Sequence, residues 1–105
     1  MNDAIEKLKA QHGQLVQCEI DGRVLAFRAI NKAGLQDLRK QLRAKPDLAV
    51  ELSINACKFC CVFGKEHVDE LTDRYPLAFA GYESAPGVID HLMDLARGGA
   101  VISIV

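Results

Sequence analysis

The chain has no tryptophan, and only six of its 105 residues are aromatic, so an aromatic-dominated core is excluded and Ala, Leu, Ile and Val must supply most of the packing. Charge of one sign is also missing. Thirteen Lys and Arg against fourteen Asp and Glu leave a net charge of −1. Binding nucleic acid requires a surplus of cations to neutralise phosphates, so this balance argues against such a partner. Long apolar runs are absent too: none approaches the roughly 18 residues that cross a bilayer. The first residues, Met1-Asn2-Asp3-Ala4-Ile5-Glu6-Lys7, are charged and lack the apolar stretch of a secretory signal. The expectation is a cytoplasmic protein that meets no membrane. Low-complexity tracts, linkers and repeats are missing as well.

What is present suits one domain. A chain of this length buries roughly two-thirds of the surface its unfolded form exposes, enough for a single core. Half of its residues are hydrophobic and 26% are charged, a globular balance. Asp3 to Gly13 reads as an amphipathic helix, with Ile5, Leu8 and His12 on one face and Gly13 as its stop. The period then changes. Val16, Cys18 and Ile20 alternate with Leu15, Gln17 and Glu19, and Asp21-Gly22 follows, a dipeptide suited to a two-residue type I′ turn. The return strand covers Arg23 to Ala29. This turn sets Ile20 opposite Arg23, Cys18 opposite Leu25 and Val16 opposite Phe27, giving one apolar face. A two-stranded hairpin is marginal alone and needs cover.

Helices provide it. Asn31 caps a helix whose inward stripe is Leu35, Leu38 and Leu42. Pro46-Asp47 opens the next, and Leu48 to Phe63 is apolar nearly all round until Gly64, the pattern of a central helix. Glu66 to Arg74 follows, with Val68, Leu71 and Tyr75 inward. Pro76 opens a short turn through Leu77, Phe79 and Tyr82. Ser84 and Pro86 begin the last helix, which carries Ile89, Leu92, Met93 and Ala96 on one face and Gly98 as its cap. The fold class is α+β, mostly helical, with one N-terminal β-hairpin packed against four or five short helices. Residues 1–99 form the domain, and 100–105 form an apolar C-terminal tail. That tail, Ala100-Val101-Ile102-Ser103-Ile104-Val105, is β-prone; it either adds a strand to the hairpin or is left for a partner.

Chemistry-bearing residues are few. Cys57, Cys60 and Cys61 stand at i, i+3 and i+4, which places three sulfurs near one helical face. Tetrahedral zinc needs four ligands, usually from paired knuckles on turns, and only one half of such a set is here. Cys18, His67 or His91 would have to complete it through the tertiary fold. Free cysteine packs as a small hydrophobe, so the cluster reads as core. A disulfide is disfavoured in a reducing compartment. His12, His67 and His91 fall on three different helices beside Gln11, Glu66 and Asp90. Asp69, Glu70 and Asp73 make a solvated stripe, and no Gly-rich loop opens a helix to hold phosphate. Lys32, Arg39, Lys40, Arg43 and Lys45, offset by Asp37, form a solvated basic face. The expectation is a protein without an active site, cofactor or resident metal, acting through protein binding. Its candidate partner-binding residues are Tyr82, Val101, Ile102, Ile104 and Val105.

Ile5 to Gly13 followed by the hairpin through Asp21-Gly22 to Ala26-Phe27-Arg28-Ala29 resembles the start of tail assembly chaperones of long-tailed phages and prophages. Later segments are similar as well: Cys60-Cys61-Val62-Phe63 closing a helix, Leu71 through Tyr75-Pro76-Leu77, and Val88-Ile89-Asp90 leading to Leu95-Ala96. The resemblance spans nearly the whole chain and rests on order and pattern. The cysteines depart from it, since Ala or Val is usual at such positions. It implies a non-catalytic protein of the host cell cytoplasm that binds the tape-measure protein, keeps it soluble and helps tail-tube subunits assemble. A homo-oligomer is a separate expectation about partners. The alternative is a small metal- or thiol-dependent regulatory protein using Cys57, Cys60 and Cys61.

Overall fold

The architecture was taken from a computed structural model that describes residues 3–105. Helix α1 covers Asp3–His12, and Gly13 ends it. Strands β1 (Leu15–Ile20) and β2 (Arg23–Arg28) form the expected hairpin, with Ile20 opposite Arg23, Cys18 opposite Leu25 and Val16 opposite Phe27. Asp21 and Gly22 both take positive φ, at 54° and 73°, as a type I′ turn requires. Asn31 caps helix α2 (Lys32–Ala44) by accepting a 2.8 Å hydrogen bond from the Gly34 N–H. A 3-10 turn at Pro46–Leu48 leads into helix α3 (Ala49–Cys60).

The first correction comes at the end of α3. The helix stops at Cys60, and Cys61–Phe63 form a third strand, β3, so the hairpin is part of a three-stranded antiparallel sheet in the order β1-β2-β3. Two physical demands meet there. Val62 and Phe63 are good strand formers. Ala26 of β2 is fully buried, and its backbone groups, which face away from β1, need partners. β3 supplies them, its register setting Phe63 beside Ala26 and Cys61 beside Phe27 across an irregularity. Gly64 then turns the chain with φ 78°, packed so closely that an added Cβ would lie 2.6 Å from Leu25 and 2.7 Å from the Val24 carbonyl.

Helices α4 (Lys65–Arg74), α5 (Pro76–Ala80) and α6 (Val88–Leu95) complete the order. The last helix begins at Val88, later than Ser84-Pro86 suggested. Tyr82 and Ala85 instead exchange two backbone hydrogen bonds of 3.0 Å, and the Gly87 N–H donates to Asp90 at 2.7 Å to start the helix. Its end differs too: Ala96 is the cap and is exposed, so it does not extend the Ile89, Leu92 and Met93 face.

Helix α3 packs against α2, α4, α5, α6 and β2, the central place its composition predicted. It is not buried all round, however, since Val50 and Phe59 face solvent. One cluster joins Leu25, Phe27, Ile30, Leu38, Leu52, Leu71, Phe79 and Leu92 with the three cysteines. Phe27 and Phe79 meet edge to face, ring centroids 6.2 Å apart. Tyr75 is a second correction. It lies outward, and its hydroxyl donates to the Asp21 carboxylate at 3.0 Å, because a phenol at a helix end can keep its polar tip paired on the surface. Residues 100–105 form no strand with the hairpin. They follow a turn through Gly98-Gly99 and stay exposed, the four large aliphatics by 75% or more.

Candidate functional site

The three clustered cysteines do not share a helical face. Cys57 and Cys60 lie on α3, while Cys61 opens β3. All three are buried in the core. Burial pushes the Cys57 thiol up to about 12 and raises those of Cys60 and Cys61 as well. Half-buried Cys18 is raised for the same reason. The Cys57 thiol points at the Phe79 carbonyl (3.8 Å), and that of Cys61 donates to the Phe63 carbonyl (3.2 Å). Thiols held protonated and turned to carbonyls pack the core rather than act as nucleophiles. Among the described residues, no group of three or more His, Cys, Asp and Glu is placed to hold a metal. His12, His67 and His91 remain on separate helices, α1, α4 and α6.

The partner-binding candidates are accessible. Tyr82 is exposed in the turn before α6, and Val101, Ile102, Ile104 and Val105 are exposed beyond it. Helix α6 separates the two groups along the chain.

A groove that the sequence reading missed lies between α2 and α3. It encloses about 410 Å³, a volume in the range of ligand and peptide clefts. Ile30, Leu38, Leu52, Ala56 and Cys60 make its floor, and Phe59 stands at its mouth with 70% of its surface exposed. The local sequence builds it directly. Leu52, Ala56, Phe59 and Cys60 recur at i, i+4, i+7 and i+8, one stripe of a helix. Opposite them, Ala33, Asp37 and Gln41 recur every four residues on α2. The small side chains of Ala33, Gly34 and Ala56 keep the two helices from filling the space between them.

Arg28, the last residue of β2, anchors one end. Its guanidinium sits 5.1 Å from the Phe59 ring centroid and donates to the Phe59 carbonyl at 3.4 Å and the Ala29 carbonyl at 3.3 Å. Polar groups at the rim are few: Asn31, Asn55, and Gln41, which donates to Asp37 at 2.7 Å. Phe59 escaped notice because it fell inside a helix that read as apolar on every side. Its place at i+7 from Leu52 was the available clue.

No family model and no curated protein matches the chain. One solved structure, that of an uncharacterised protein from Bacillus stearothermophilus, is similar in fold: TM-score 0.65 over 96% of this chain and 99% of the other, at 19% identity. The two share an architecture over their full extent.

Proposed function

We propose that the protein is a non-catalytic binding protein that shelters the apolar stripe of a partner helix. On the resemblance of its sequence pattern, we propose further that it is a phage tail assembly chaperone acting on the tape-measure protein. One observation carries the first statement: an apolar groove between two helices, with a large aromatic left 70% exposed at its mouth. Isolated exposed apolar residues are ordinary, but an aromatic bordering a concave apolar strip marks a recognition surface. Tape-measure proteins are long helices whose apolar stripes need cover until the tube encloses them. The groove offers such cover from Ile30, Leu38, Leu52 and Phe59, with Arg28 fixing the ring at one end. The reading also places the protein in the cytoplasm of the phage's host.

Co-expression with the tape-measure protein of the same phage or prophage tests this reading. The expected result is a complex that keeps the tape-measure protein in solution. Phe59→Ser should weaken the complex at least tenfold and leave the melting temperature within about a degree, since an exposed ring contributes little to the fold. A genome lacking a tape-measure gene overturns the phage assignment. Binding unaffected by Phe59→Ser overturns the groove.

The metal- or thiol-dependent alternative gains nothing from the geometry. Its three cysteines are core residues divided between a helix and a strand.

A further inference from the structure

The sheet has one long free edge. In the order β1-β2-β3, β2 is central and β3 is only three residues long, so β1 presents six residues with no strand beyond them. The two-residue turn makes Ile20 and Arg23 the closing hydrogen-bonded pair, and such pairs alternate along an antiparallel ladder. Val16, Cys18 and Ile20 therefore bond to β2, while Leu15, Gln17 and Glu19 direct their N–H and C=O groups away from it. Among the described residues, no backbone hydrogen bond reaches that edge. Natural edges of this length are guarded by charge, proline, a bulge or a covering segment. β1 has only Glu19.

A segment suited to the edge lies nearby, unpaired. Residues 100–105 match β1 in length and carry four β-branched aliphatics that are 75% exposed or more. Their root is beside the start of β1, because Gln14 shares a surface hollow with Asp94, Leu95, Arg97, Gly99 and Ala100. We propose that residues 101–105 of one copy add as a fourth strand to the β1 edge of a second copy, and that the second copy returns the exchange.

A second copy fits better than the chain's own edge. From its root at Gln14, the segment would run along its own β1 in the same direction, giving a parallel pair whose slanted bonds are weaker. That would also make a mixed sheet of one whose two pairings are both antiparallel. A partner's segment can enter from the opposite end and pair antiparallel. In the single chain it lies off the edge, after Ala100 N–H closes a 3.2 Å turn onto the Arg97 carbonyl. This inference does not depend on the groove or on any tape-measure protein.

Three proteins test it by light scattering: the full chain, a chain ending at residue 99, and Gln17→Pro, which removes one outward N–H. The full chain should be a dimer and the two variants monomers. Mixed together, the variants should form a heterodimer, since one retains the edge and the other the segment. A monomeric full chain, a dimeric truncation or a dimeric Gln17→Pro overturns the proposal. Should Gln17→Pro fail to fold, amide exchange on the full chain decides. The Leu15, Gln17 and Glu19 amides should exchange at least tenfold more slowly in the full-chain dimer than in the truncated chain. Equal rates overturn the proposal. Protection in a monomer assigns the segment to its own β1 and overturns the second copy.

Discussion

A single residue, Gly22, sets the geometry of the hairpin. It sits at φ 73° with nothing within 4 Å of the position a Cβ would take, so a side chain there meets no clash. The cost of Gly22→Val is therefore conformational: a β-branched residue forced into the left-handed region loses roughly 1–2 kcal/mol. Urea unfolding should show a lower midpoint with the slope unchanged; an unaltered midpoint would mean that the turn tolerates other geometries. The cysteines make the opposite case, where burial is everything. Cys57, Cys60 and Cys61 are at most 2% exposed, and replacing each with Ala should cost about 1 kcal/mol through the small cavity left. Their raised thiols should also resist a thiol reagent at neutral pH until the protein unfolds. Rapid modification of the native chain at any of the three would contradict their place in the core.

Between elements, an exposed polar network fastens the hairpin to α4. Arg23 pairs with Glu70, Arg74 bridges Glu70 and Asp21 at 3.4 and 3.3 Å, and Tyr75 donates to Asp21. The hydrogen bond and charge of Arg23 hold the Glu70 carboxyl below its usual range. A carboxylate depressed in the folded state adds stability that is complete above its unfolded pKa, about 4.3 for Glu, and is lost as pH falls through the lower folded value. Glu70→Gln should therefore reduce the melting temperature at neutral pH and flatten its fall on acidification. Parallel profiles for the two proteins would show that the pair contributes nothing, as exposed pairs often do.

Elements were the most legible level of the sequence. The hairpin register followed from Asp21-Gly22, and the start of α2 from Asn31. Local rules governed both. What escaped was decided at a distance. Cys61–Phe63 became a strand because β2 needed a partner, and Tyr75 turned outward because Asp21 was there to accept its hydrogen bond. The groove escaped for a similar reason. Helical periodicity shows which residues share a stripe, but a gap between α2 and α3 depends on how closely their small residues let the helices approach.

At the scale of the whole molecule, the charges are unevenly distributed and one apolar segment is left uncovered. Helix α2 and its exit hold five cations and Asp37, a local +4, so the rest of the chain carries −5 against the total of −1. None of those five cations forms an ion pair among the described residues, so the basic face remains available beside the groove. The uncovered segment leads to a thermodynamic prediction. Residues 101, 102, 104 and 105 are at least 75% exposed, so in an isolated chain their removal takes almost nothing from the core. If a second copy covers them, association adds stability through mass action, and the melting temperature rises with protein concentration. The full chain should then melt higher on a hundredfold increase in concentration, while the chain ending at residue 99 should not change. At the dilute limit the two should converge, because each is then a monomer with the same core. A truncation that lowers the melting temperature equally at every concentration would place the segment inside the chain's own fold. Differential scanning fluorimetry across a dilution series separates the two cases, since only an interface between copies makes stability depend on how many copies are present.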